Sequence, residues 1–98
     1  MIKLISIKLY TGSGNSRYTA IFSYHGKLKK VNFGDKRYEN YTVHKNDERK
    51  RLYLLRHRAN EDWDNPMSKG SLSRWILWNM PSLEDSIKDF KKRFKLIS

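Results

Sequence analysis

Tyr18-Thr19-Ala20-Ile21-Phe22-Ser23-Tyr24-His25-Gly26-Lys27-Leu28-Lys29-Lys30-Val31-Asn32-Phe33-Gly34 is the stretch that decides the architecture. Tyr18, Ala20, Phe22 and Tyr24 recur at every second position, the period of a strand with one buried face. His25-Gly26 is a two-residue connector suited to a tight hairpin, because glycine accepts the positive φ that such turns need. Val31 and Phe33 continue the alternation in a third strand that Gly34 ends. Lys27 and Lys29 share their parity, and lysines crowding this strand suit an edge protected against strand addition. Upstream, Ile5, Ile7 and Leu9 alternate in a first strand, and Thr11 to Ser16, with two glycines and no apolar residue, is a flexible turn. Residues 1–34 therefore read as a three-stranded antiparallel meander.

From Asn46 the apolar period lengthens to that of a helix. Asn46 is a good N-cap, Asp47 and Glu48 occupy the favourable first turn, and Arg56 and Arg58 lie near the other end. Leu52, Leu55 and Ala59 then form the expected core stripe. Asn60 to Met67 is an acidic loop. A second helix is expected after Gly70, capped by Ser71 and carrying Leu72, Trp75, Ile76 and Trp78. Ser82 caps a third helix, with Asp85 at the position of a capping box. Leu83, Ile87, Phe90 and Phe94 form its core stripe, opposite Lys88, Lys91, Lys92 and Lys95. The prediction is a single α+β domain over 1–98, a meander in 1–34 followed by a helical part in 35–98 whose roughly three helices pack on one sheet face.

A formal net charge of +11 on 98 residues is lopsided, and self-repulsion of that size opposes compaction. Residues 1–34 hold Lys3, Lys8, Arg17, Lys27, Lys29 and Lys30 without one carboxylate. Lys45 to Arg58 and Lys88 to Lys95 are each net +4. Three separate basic segments point to a polyanionic partner. Hydrophobic content of 38% is low, but three Trp, six Tyr and four Phe supply large buried areas and argue against disorder. The lack of cysteine excludes disulfides, thiolate metal sites and cysteine nucleophiles, and fits a reducing, intracellular setting. Lys3 and Lys8 interrupt any signal-peptide core, and the longest apolar run elsewhere, Trp75 to Trp78, is far too short for a transmembrane segment.

Phosphate binding draws on several cations on one surface. The candidates are Lys27, Lys29 and Lys30 on the third strand, Arg49, Tyr53 and Arg56 on the first helix, and Lys88, Lys91, Lys92 and Lys95 on the last. Arg49, Tyr53, Arg56 and Asn60 form one helical stripe mixing guanidinium, aromatic and amide groups, the side chains used for phosphate and base-edge contacts. The competing reading is a solvated helix face whose Tyr53 packs inward. The last helix suits nucleic acid, an anionic membrane surface or an acidic protein equally. Its Phe90 and Phe94 belong to the core.

Catalytic and metal signals are weak. His25 sits in a turn, and His44 and His57 bracket the first helix, meeting at one site only if the chain folds back. No cysteine or paired histidine supports zinc. Glu61, Asp62 and Asp64, beside Arg56 and His57, offer oxygen ligands for Mg²⁺ in a nuclease-like site, but such a loop more often balances local charge. No triad spacing, phosphate loop or dinucleotide fingerprint is present. The expectation is no enzyme activity, no cofactor, no metal and no small-molecule substrate. Trp63 is expected to cover the core's edge, and at least one of Trp75 and Trp78 to enter the core.

The string Phe33-Gly34, Tyr38, Tyr41-Thr42, His44-Lys45, Asp47, Arg49-Lys50, Tyr53, Arg56-His57, Asn60-Glu61, Trp63, Pro66 continues as Gly70, Leu72-Ser73-Arg74, Leu77-Trp78-Asn79, Pro81-Ser82-Leu83, Ser86-Ile87, Asp89 and Phe94. From about Tyr18 to Phe94 it resembles a family of small, basic, uncharacterised proteins encoded by large nucleocytoplasmic double-stranded DNA viruses. Lys69 stands where the family pattern suggests a small residue before Gly70. The resemblance implies a setting in the infected host cell, cytoplasm or nucleus, or in the virion. It brings no catalytic residues. Two non-enzymatic readings follow: a protein binding nucleic acid, double-stranded DNA first, largely without sequence preference, or a minor capsid protein contacting acidic capsid partners or the inner membrane surface. In the second, Tyr38, Trp63 and Trp78 are the interface anchors.

Overall fold

His25 and Gly26 both take positive φ, 50° and 75°, the paired left-handed conformation of a type I′ hairpin turn. The turn joins β2 (Tyr18–Tyr24) to β3 (Lys27–Phe33), with Tyr24 opposite Lys27 and Tyr18 opposite Phe33. β1 (Ile2–Leu9) pairs antiparallel with the other side of β2, so the sheet order is β1-β2-β3. The computed structural model describes residues 1–96; residues 97 and 98 of the expected domain lie outside the described residues.

β1 departs from the simple alternation. Its register with β2 shifts between Leu4 and Ser6, leaving Ile5 as the extra residue of a β-bulge. Before the bulge the even residues face the core, and after it the odd ones do. Leu4 is therefore the buried residue of this strand, Ile7 packs against the core's rim, and Ile5 is 48% exposed. The expected Ile5-Ile7-Leu9 face is corrected accordingly: two phases of one period are joined by an inserted residue, and Leu9 lies exposed at the strand's end. On the core side Leu4, Ala20, Phe22, Val31 and Phe33 meet Leu72, Ile76, Leu77 and Phe90 from the helical part. The opposite sheet face carries Lys3, Lys8 and Lys30 around Ile21, with Thr19 donating to Asn32 across the strands at 2.7 Å.

Gly34 (φ 78°) turns the chain out of β3 under Leu77: a Cβ there would stand 2.8 Å from Leu77 Cδ1. A one-turn helix, α1 (Tyr41–His44), follows, which periodicity does not announce. Asn40 caps it by accepting from the Thr42 amide, and Lys45 closes it in the left-handed conformation. Asn46 then caps α2 (Asp47–His57) by accepting from the Arg49 amide at 3.0 Å, as the sequence indicates. α3 (Lys69–Leu72) starts earlier than expected. Ser68, not Ser71, is its cap, and Ser71 is fully buried. Continuous with α3, Ser73–Leu77 winds as a π-helix, closed by the Trp78 amide donating to the Ser73 carbonyl at 3.0 Å. α4 (Leu83–Arg93) begins at Ser82, whose hydroxyl accepts from the Asp85 amide. Its Phe90 is buried, with Leu83, Ile87 and Phe94 packed against the core as the stripe predicts. The protein is thus an α+β fold, a three-stranded antiparallel meander followed by helices.

The wider winding of the π segment separates Trp75 from Trp78, which the sequence places on similar headings. Trp75 lies between the guanidiniums of Arg74 and Arg93, 4.0 and 3.7 Å from its ring centre, and donates its indole N–H to the Trp63 carbonyl. Trp78 instead stacks flat on Tyr53, with ring centres 4.3 Å apart and planes 2° from parallel. That stack overturns the expected Leu52-Leu55-Ala59 stripe. All three are exposed, whereas Tyr53 is 7% exposed and is the one buried residue of α2. Removal of a buried aromatic side chain typically costs about 3–5 kcal/mol. Tyr53→Ala should accordingly lower the free energy of urea unfolding by roughly 3 kcal/mol, whereas Leu55→Ala on the solvent side should stay within about 0.5 kcal/mol. A larger loss at Leu55 would mean that α2 is turned the other way.

Candidate nucleic-acid interface and an adjoining cavity

The expected phosphate-binding residues divide by location and by pairing. On β3, Lys27 and Lys29 lie on the helix-side parity and Lys30 on the open sheet face, all exposed. On α4, Lys92 and Lys95 are exposed, Lys91 is half-buried, and Lys88 reaches Glu84 at 3.5 Å. On α2, Arg49 stands 3.5 Å from Glu39, while Arg56 is exposed. Among the described residues, Lys27, Lys29, Lys30, Arg56, Lys91, Lys92 and Lys95 have no carboxylate partner. Two cations the sequence reading did not select, Lys3 and Lys8, share the open sheet face with Lys30. Strand parity carries that signal, but the bulge hides it.

Tyr53 does not offer a ring face to a base. It is held between Trp78 and His57, whose ring centre lies 4.3 Å away on its other side. Burial pushes its phenol well above the usual tyrosine range, with Glu61 adding to the effect. The inward-packing alternative is the one observed. His44 meets Trp78 at 5.2 Å with the ring planes 55° apart, so His44, Trp78, Tyr53 and His57 form one column of successive ring contacts. The chain does fold back to bring both helix-bracketing histidines to one assembly, through aromatic contact. Of the proposed interface anchors, Tyr38 is 68% exposed, and Trp63 and Trp78 are half-buried. Trp63 donates to Glu61 at 3.3 Å and lies under the Arg74 guanidinium, outside the set of side chains packed against the core.

The column flanks a cavity of about 600 Å³ between the end of β3, the 35–40 segment, α2 and the start of the π-helix. Arg49, Tyr53 and Arg56 all line it, together with Tyr38 and Trp78, so the structure gathers the α2 candidates and two of the three expected anchors there. Lys69, the residue before Gly70, lines it too. The tight approach belongs to Gly70 itself, where a Cβ would stand 3.0 Å from Glu61 Cβ. Three carboxylates border the space, each engaged. Asp35 is bound by Arg37, which lowers its pKa to about 2; Glu39 faces Arg49; Glu61 holds His57 Nδ1 at 3.2 Å and the Trp63 indole. Asp62 turns back to accept from the Asp64 amide. No group of three or more His, Asp or Glu among the described residues is placed to hold a metal ion.

The family model for a family of unknown function, DUF5754, matches residues 11–57. The match spans β2, β3, α1 and α2 and stops before the helices that supply Leu72, Ile76, Leu77 and Phe90 to the core. No curated protein and no solved structure matches the chain. No helix among the described residues is long and apolar enough to cross a membrane.

His44 has a consequence for stability. Its Nδ1 accepts from the Asn46 amide at 2.9 Å, so the ring is neutral as drawn by that bond. Burial, then the nearby Arg49 charge, lowers its pKa from the ordinary 6.5, against a weaker opposing pull from Glu39. On acidification the unfolded chain takes up this proton first, so the folded state loses stability as pH falls below about 6.5. The thermal midpoint should fall between about pH 7.5 and 5.5, and His44→Gln should flatten the decline. An equal decline in the variant would remove His44 as its source.

Proposed function

We propose that this protein binds nucleic acid without catalysing a reaction, through phosphate contacts largely independent of sequence, as a basic protein of a large double-stranded DNA virus acting in the infected cell or the virion. The observation that carries this reading is the set of unpartnered cations on separate elements: Lys27, Lys29 and Lys30 on β3, Arg56 on α2, and Lys91, Lys92 and Lys95 on α4. In most small domains exposed cations alternate with carboxylates and the two fields cancel over a Debye length. Here the whole sheet lacks a carboxylate, so its field persists and draws a polyanion from a distance. Double-stranded DNA suits such a surface because its charge is dense and its counterions are released on contact.

A second reading, a minor virion component that contacts acidic capsid proteins, draws support from a different observation. Because Tyr53 takes the inward position, α2 presents Leu52 and Leu55 outward, and Tyr38 is exposed in the preceding segment. Exposed aromatic and aliphatic groups beside arginines are the materials of a protein interface.

Equilibrium binding to a random-sequence duplex across a salt series separates the two, with heparin as a polyanion control. With about five phosphates neutralised, log K should fall with log salt at a slope of roughly −4.5. Replacement of Lys27, Lys29 and Lys30 together by Gln should reduce the slope to about −1.8 if each meets one phosphate. A flat salt response, or equal affinity for heparin, would reject the nucleic-acid reading and favour the capsid one.

A further inference from the structure

The cavity beside the ring column has a charge balance of its own. Asp35, Glu39 and Glu61 are each engaged, as described above, and Arg49 is answered by Glu39. Arg56 and Lys69 line the same space with no carboxylate partner among the described residues. Two unanswered cations on a confined space of about 600 Å³ select an anion of small-molecule size. Phe33, Leu52, Leu77 and Trp78 give the wall an apolar portion, where the anion's body is desolvated while its charge meets the cations.

The shape of that body follows from the column. His44, Trp78, Tyr53 and His57 succeed one another as rings, and the series ends at His57, which lines the cavity and has no second aromatic neighbour among the described residues. A planar ring laid against His57 continues the column. Arg56 is the adjacent residue on α2, and Glu61, already accepting from His57 and Trp63, offers carboxylate lone pairs to an exocyclic amino group. A planar, amino-bearing ring system joined to a dianionic group is the chemistry these walls complement.

We propose that this cavity binds a nucleoside 5′-phosphate, its base stacked at the His57 end of the column and its phosphate held by Arg56 and Lys69. The ligand is either a free mononucleotide or the phosphorylated end of a nucleic-acid strand. The second source rests on the nucleic-acid reading above; the first stands without it. Guanidinium and ammonium contacts to phosphate are charge-assisted and short, which gives the site affinity, and the ring contact gives it preference over inorganic phosphate.

The test is calorimetric titration of the full chain with adenosine 5′-monophosphate, with adenosine and inorganic phosphate as separate probes. Saturable one-to-one binding of the nucleotide is expected, with each of the two fragments at least about tenfold weaker. Lys69→Ala, at an exposed position, should weaken nucleotide binding about tenfold by removing one phosphate contact. Leu52→Trp, also exposed and on the cavity wall, should block it. The Lys27, Lys29 and Lys30 replacement should leave it unchanged, so a failure of duplex binding and a failure of this site are read independently. A 5′-phosphorylated single-stranded hexamer that displaces the nucleotide assigns the site to strand ends; one that does not assigns it to the free nucleotide. Absence of saturable binding up to about 1 mM, equal binding of inorganic phosphate, or unchanged affinity in both cavity variants would overturn the proposal.

Discussion

The helical half of this protein hangs on the Trp78–Tyr53 stack. α2 carries Leu52 and Leu55 at helical spacing, and Ala59 follows just past its end, yet none of the three is buried. What fixes the helix is one aromatic ring laid flat on another, and Trp78 in turn packs against the core. Aromatic pairs contribute about 0.5–1.5 kcal/mol beyond the area they bury, too little alone to orient an eleven-residue helix. A second tether completes the attachment. Lys50 Nζ donates to the Asn79 carbonyl at 2.6 Å, and Arg74 donates to the Trp78 carbonyl at 2.9 Å, so cations from two elements satisfy carbonyls just past the π-helix. Asn79 then donates to Asp89 of α4, which also receives Arg93. α2, the π-helix and α4 are thereby joined at a single corner.

That corner concentrates positive charge in a chain that already carries too much of it. Burial lowers the pKa of both Lys50 and Arg74, and each is lowered further by a neighbouring cation, Arg74 for Lys50 and Arg93 for Arg74. Carbonyl dipoles, the faces of Trp75 and Trp63, and the carboxylates of Asp89 and, for Lys50, Asp47 offset the repulsion. Exposed pairs such as Arg51–Glu48 and Lys88–Glu84 add little, since both partners remain in water. The interior thus accommodates its cations locally, whereas those on the sheet have no such compensation. An excess charge that folding does not use is available for a partner.

Much of this was legible in the sequence, and the failures have physical causes. Strict alternation in β2, the His25-Gly26 turn and the Asn46 and Ser82 caps read correctly because each is a local matter of backbone geometry and hydrogen bonding. Ile5 misled because a bulge changes which residues face inward without leaving any mark in composition. Leu52 and Leu55 misled for a deeper reason: periodicity weighs aliphatic residues as core, and only tertiary contact revealed that a tyrosine would outcompete them. Ser71 misled because Ser68 lies one helical turn earlier with the same capping chemistry. The cavity was half visible, since Arg49, Tyr53 and Arg56 share a helical stripe. Its other wall comes from Phe33, Lys69 and Leu77, which no spacing rule connects to them.

The two surfaces differ in the range over which they act. Cations on β3 and α4 work at a distance comparable to the Debye length, attract any polyanion, and lose strength steeply with salt. In the cavity, charges of both signs largely neutralise one another, so little field escapes it, and the two cations left over act only on a group that has entered. Entry displaces water from apolar walls and brings a phosphate against donors in a partly desolvated setting, where each contact is stronger and less screened. On the proposed reading, a surface of the first kind would gather nucleic acid without discriminating. A site of the second kind discriminates by shape and by where the charge sits on the ligand. The second kind follows from one event in the fold: by turning inward, Tyr53 sets the stripe it shares with Arg49 and Arg56 along the cavity.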